Sequence, residues 1–98
     1  MAKWSVYMLR CADGSLYTGI ARDVTKRLAE HESGKRGAKY LRGRGPLELV
    51  FEKSVGDRGL ALRIEHCLKR LCKSEKENLD SLSSRVDGYI KEFGHAPQ

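Results

Sequence analysis

Residues 4–20, WSVYMLRCADGSLYTGI, decide the fold. Trp4 to Arg10 and Leu16 to Ile20 are short apolar and aromatic runs that read as strands, and Asp13-Gly14 between them is a hairpin signal. The loop length sets which side chains share a face. A two-residue turn at Asp13-Gly14 would put Tyr7 and Tyr17 on opposite faces. A three-residue loop, Ala12-Asp13-Gly14, pairs Tyr7 with Gly19 and puts both tyrosines on one face. We favour the longer loop, because Gly14 then takes the left-handed position of a G1 bulge.

Outward from this hairpin, Asp23 predicts an N-cap for a helix running to about Ser33, with Gly34 as its stop. Val24 and Leu28 form its apolar stripe, and Arg27 and His31, one turn apart, are expected on its flank. Leu47 to Ser54 (LELVFEKS) predicts a third strand. Gly56-Asp57 opens a second helix to about Cys72, with Leu60, Ala61, Ile64, Cys67, Leu68 and Leu71 facing the core. Ser74 with Glu77 reads as a capping box for a third helix to about Leu82. Ser84 is expected to cap a last helix that turns Val86, Ile90 and Phe93 inward and stops at Gly94. The order is β-β-α-β-α-α-α, a small α/β sandwich. It is read as one domain over residues 1–98, with a core of about 4–72 and a helical extension of about 73–94.

Ninety-eight residues leave no room for a second core or a separate cofactor domain. No apolar run is long enough to span a membrane, and the first residues lack the apolar stretch of a signal peptide, so a cytoplasmic or nucleoid location is expected. Cys11, Cys67 and Cys72 fit neither a disulfide framework nor a zinc knuckle. The 19 basic against 13 acidic residues give a net charge of +6, which favours a polyanionic partner. The charge is densest between Gly34 and Pro46, where Lys35, Arg36, Lys39, Arg42 and Arg44 occur with no acidic residue and with Tyr40 among them. Such a loop can follow a phosphate backbone while the tyrosine stacks on a base.

Single side chains are less decisive. Arg27 offers a donor fork suited to a phosphodiester, but its spacing also suits an ordinary pair with Glu30 or His31. His31 titrates near neutral pH and could move a proton. Glu65, at the border of the second helix's apolar face, could give one carboxylate to a hydrated Mg²⁺ or pair with Lys69 one turn on. Tyr7 and Tyr17 carry acidic hydroxyls, although tyrosines in strands usually serve packing.

Taken in order, these residues resemble the GIY-YIG nuclease superfamily, and more closely its stand-alone bacterial UPF0213 branch, over about Trp4 to Leu71. Val6-Tyr7-Met8 stands where the first family triplet falls and Tyr17-Thr18-Gly19 stands for the second. Asp23, Arg27 and His31 match the first helix. Gly34, Lys39-Tyr40-Leu41-Arg42 and the helix bearing Ala61, Leu62, Glu65, Leu68 and Lys69 resemble the UPF0213 branch in particular. Val6 and Met8 replace the glycine and isoleucine of the first triplet, and Thr18 replaces the isoleucine of the second.

The resemblance implies a three-stranded antiparallel sheet flanked by helices, an α+β fold, and a metal-dependent phosphodiesterase. Tyr7 would act as general base or orient the attacking water, Arg27 would neutralise the phosphoryl oxygens, and Glu65 would hold one Mg²⁺ or Mn²⁺. Tyr17 would position the phosphate and His31 would assist proton transfer. The expected partner is nucleic acid, DNA ahead of RNA, with no membrane and no organic cofactor. The expected activity is a DNA endonuclease of little sequence specificity, structure-dependent or single-strand-tolerant, acting in repair. The alternative is a binding module on DNA or RNA with weak or no catalysis. A third reading has the C-terminal helices, Ser74 to Phe93, dock a protein partner.

Overall fold

The computed structural model describes residues 3–33 and 45–94, and they form a three-stranded antiparallel sheet with helices on both faces. The elements run β1 (Trp4–Arg10), β2 (Leu16–Ala21), α1 (Val24–Ser33), β3 (Glu48–Gly56), α2 (Arg58–Lys69), α3 (Lys73–Glu77) and α4 (Leu79–Phe93). This is the expected α+β order. The sheet order is β2-β1-β3, so the strand bearing Tyr7 is central and the strand bearing Tyr17 lies at an edge.

The hairpin adopts the longer loop. Tyr7 pairs with Gly19, Val6 with Ile20 and Arg10 with Leu16. Gly14 sits at φ +87°, a left-handed conformation that glycine takes without a Cβ penalty. The Gly14 amide donates to the Cys11 carbonyl and the Cys11 amide to the Ser15 carbonyl, both at 2.9 Å. Asp13 Oδ1 accepts from the Ser15 amide and hydroxyl and so fixes the turn from the side.

Strand alternation divides the core between the two sheet faces. Val6 and Met8 point to one face and join Ile64 and Leu68 of α2 with Leu82 and Val86 of α4, all fully buried. Tyr7, Leu9 and Cys11 point to the other, where they meet Val24 of α1, with Tyr17 and Leu28 packed against them. Asp23 caps α1 as expected, its Oδ1 accepting from the Lys26 amide. His31 departs from expectation. It is not on the flank but 4% exposed, seven residues after Val24 and on the same stripe.

The C-terminal boundaries also differ. α2 stops at Lys69 rather than near Cys72, its last carbonyls accepting from the Arg70 amide. α3 begins after Cys72, whose amide donates to Glu75 Oε1, so the capping relation is Cys72 with Glu75 and not Ser74 with Glu77. Glu77 instead reaches across the molecule to Arg10, taking both guanidinium nitrogens at 2.7 and 3.1 Å. α4 starts at Leu79 under Asn78, whose Oδ1 accepts from the Ser81 amide, so Ser84 is interior and caps nothing. The apolar stripe explains this. Leu79, Leu82, Val86, Ile90 and Phe93 recur at helical spacing across Ser83 and Ser84, and breaking the helix there would break the stripe.

Candidate active site

Tyr7, Tyr17 and His31 form one aromatic cluster on the α1 face, with ring centroids 5.6–6.4 Å apart. The arrangement depends on Gly19, directly across from Tyr7. A Cβ at residue 19 would lie 2.6 Å from the Tyr7 oxygen, so the ring lies flat over a position that has no side chain. In this pose the Tyr7 hydroxyl meets Nε2 of His31 at 2.9 Å.

Burial governs the charges here. It pushes the Tyr7 phenol up to about 12, helped by Tyr17 and opposed by the Arg27 guanidinium. Tyr17 is raised by burial and then by the Glu65 carboxylate. His31 is lowered by burial and then by Arg27, so the imidazole is neutral at neutral pH. Arg27 is held as a cation: burial opposes its charge, but the Glu30 carboxylate and the Tyr7 oxygen outweigh that and raise its pKa.

Two members of the cluster, Tyr7 and Tyr17, line a cleft of about 600 Å³ whose walls also include residues of α1 and α2, while His31 is not among its lining residues. Tyr7, Tyr17, Arg27 and Glu65, from four different elements, line this one space. The two bland pairings considered from sequence are also present. Arg27 Nη1 lies 3.2 Å from Glu30 Oε1, and Glu65 Oε2 lies 3.6 Å from Lys69 Nζ. Same-helix pairs of this kind contribute only about 0.3–0.5 kcal/mol. They leave both groups available to a phosphate or a cation entering the cleft.

The basic loop, with Lys35, Arg36, Lys39, Tyr40, Arg42 and Arg44, lies outside the described residues. The cleft adds residues that sequence reasoning did not single out as functional: Trp4, Arg22, Lys26, Glu30 and Arg58. For Trp4 and Arg22 a signal was present, since the hairpin register that joins Ser5 to Ala21 places them next along the same two strands. For Arg58 there was none, because only the packing of α2 brings it there.

Comparison with known proteins identifies the family of the chain. The family model of the GIY-YIG catalytic domain matches residues 3–78. The chain belongs to the GIY-YIG family. Within it, the chain is similar to the UPF0213 protein YhbQ of Escherichia coli, 56% identical over 79 residues, covering 81% of this chain and 78% of that one. A UPF0213 protein of Citrobacter koseri is 54% identical over the same length and coverage. The solution structure of a UPF0213 protein from Bacillus halodurans is 48% identical, with a TM-score of 0.52, and the match covers 82% of this chain and 84% of that one. The chain is thus a GIY-YIG protein of the YhbQ-like UPF0213 branch. A nuclease-type domain that engages nucleic acid follows from membership of this family. Among the described residues, no helix is long and apolar enough to cross a membrane.

A divalent ion fits the donor chemistry of the cleft. Among the described residues there is no group of three or more His, Cys, Asp or Glu side chains able to hold a metal alone. Mg²⁺, however, usually takes one or two carboxylates and fills its shell with waters and substrate phosphate oxygens. Glu65 is such a carboxylate, with its side chain 17% exposed in a cleft that has room for those waters.

Proposed function

We propose that this GIY-YIG protein is a metal-dependent endonuclease that hydrolyses phosphodiester bonds in DNA, structure-dependent or single-strand-tolerant and of little sequence specificity, with a role in repair. The observation that carries the reading is the 2.9 Å contact between the Tyr7 hydroxyl and His31 Nε2, at a cleft that also presents Arg27, Tyr17 and Glu65.

A phenol held near 12 is almost never ionised at neutral pH, so Tyr7 alone is a poor base. A neutral His31 at hydrogen-bond distance removes that difficulty. As the Tyr7 oxygen takes a proton from the attacking water, its own proton passes to His31 Nε2, and no free tyrosinate is needed. Arg27 sets a permanent cation against the phosphoryl oxygens, where negative charge develops. Tyr17, on the same face as Tyr7, orients the phosphate from the β2 side. Glu65 would hold one Mg²⁺ or Mn²⁺, which supplies a Lewis acid for the leaving oxygen.

The test is incubation of the purified protein with single-stranded, nicked and branched DNA in Mn²⁺, beside a Glu65→Ala variant. Cleavage by the wild type and loss in the variant are expected. The reading fails if no DNA is cut, or if the variant cuts equally well. Tight binding with no product would instead favour a non-catalytic binding module.

A further inference from the structure

We infer that Arg22 and Arg58, both laid against Trp4, form a second phosphate-binding subsite that grips the nucleic-acid backbone beside the scissile phosphodiester. The inference rests on the nuclease reading of the cleft and assigns residues that this reading leaves unused.

The charges of the cleft separate by pairing. Each of its carboxylates has a weak local partner: Asp23 caps α1, Glu30 pairs with Arg27, and Glu65 lies 3.6 Å from Lys69. Arg22 and Arg58, by contrast, have no ion-pair partner among the described residues, although both are exposed on the cleft rim. Each guanidinium carbon lies instead 5.7 Å from the centroid of the Trp4 ring, within the range of a cation–π contact. The indole does not neutralise either cation, and an anion at this end of the cleft would offset both.

The stacking also prepares them. A guanidinium laid on an aromatic ring gives up rotamer freedom but keeps its N–H donors, which suit phosphate oxygens. The subsite is rigidly mounted, because Trp4 is on the central strand, Arg22 follows the end of β2, and Arg58 opens α2. Tyr7, Tyr17, Arg27 and Glu65 line the same cleft, so a strand whose reacting phosphate meets them would carry a neighbouring phosphate to the arginine pair.

Fluorescence anisotropy of a labelled single-stranded oligodeoxynucleotide, in EDTA and across a salt series, tests this with the Arg22→Ala/Arg58→Ala double variant. A second, abasic strand of the same length reports backbone contacts alone. Loss of two phosphate contacts on single-stranded DNA lowers the slope of log affinity against log salt by about 1.4, so the gap to wild type narrows about sevenfold between 50 and 200 mM salt. The abasic strand is expected to show the same loss, and Lys91→Ala, on α4 away from the cleft, to show none. The inference is overturned if the double variant keeps the wild-type slope, if the abasic strand is insensitive to it, or if Lys91→Ala lowers the slope by half as much as the double variant or more. The nuclease reading survives all three results provided that Glu65-dependent cleavage persists. If the wild type binds neither strand and cuts no DNA, both fall.

Discussion

The Tyr7 hydroxyl and His31 Nε2, 2.9 Å apart and both buried, share one proton in a site where neither is charged at neutral pH. Tyr7 comes from the central strand and His31 from the last turn of α1, so the contact exists only in the folded chain. In the proposed mechanism it links a weak base to a proton acceptor, and in the fold it ties α1 to the sheet. These two consequences can be measured separately.

Replacing His31 with Gln separates them. The amide oxygen can still accept from Tyr7, so the fold is expected to hold, but it cannot take a proton near neutral pH. Single-turnover cleavage is expected to drop by about 10²-fold or more, the usual contribution of general acid–base catalysis. Tyr7→Phe should drop similarly and also destabilise the protein, because it takes one hydrogen-bond partner from a buried imidazole at a cost of about 1–3 kcal/mol. Equal cleavage by His31→Gln and wild type would remove His31 from the proton path.

The same pair predicts how stability depends on pH. His31 has a lowered pKa in the folded protein, so below about 6.5 the unfolded chain binds the proton more readily. Stability is therefore expected to fall as pH drops through that value. Tyr7 is raised from 10.0 to about 12, so between those values the unfolded chain loses the proton first. Stability should fall again as pH rises through this window. Urea midpoints across pH are the measurement. His31→Gln should flatten the acid limb and Tyr7→Phe the alkaline limb, with each leaving the other in place.

Gly19 carries a third prediction. Its φ is not in the left-handed region, so the demand for glycine is one of space and not of backbone conformation. Gly19→Ala would force the Tyr7 ring off its seat, with an expected overpacking cost of about 1–3 kcal/mol. Displacing Tyr7 from His31 should lower cleavage more than thermal stability alone explains. A variant that keeps full activity at a temperature where it is folded would show that the ring need not lie over residue 19.

The fold was legible where local chemistry and tertiary packing agree. Asp13-Gly14 indicated the hairpin register, the register set Tyr7 across from Gly19, and Asp23 capped α1 as its position promised. Legibility ended where several residues could do the same local job. Ser74, Ser84, Cys72 and Asn78 all stand near helix starts, and the choice among them was made by distant partners: Arg10 drew Glu77 away, and the Leu82–Val86 stripe carried α4 through Ser84. At the site, the family resemblance pointed to Tyr7, Tyr17, Arg27 and Glu65, and the structure lines one cleft with them. Arg58 stayed hidden because it lies far along the chain from both Trp4 and Arg22, and no spacing rule reaches that far.

The α4 boundary gives a final prediction in which sequence pattern and structure disagree. If Asn78 caps a single helix from Leu79 to Phe93, Asn78→Ala removes the acceptor for the Ser81 amide and should cost about 1 kcal/mol. Ser84→Ala then lies within the helix, where alanine is the better helix former, and should leave stability unchanged or raise it by a few tenths of a kcal/mol. Were Ser84 the cap of a separate last helix, the two results would be exchanged. Chemical denaturation of both variants decides between them. The outcome also bears on the core, because Leu82 and Val86, on either side of Ser84, are both fully buried against Ile64 and Leu68 of the helix that carries Glu65. A break at Ser84 would loosen that helix and with it the carboxylate side of the cleft, so retained cleavage in Ser84→Ala is expected alongside retained stability.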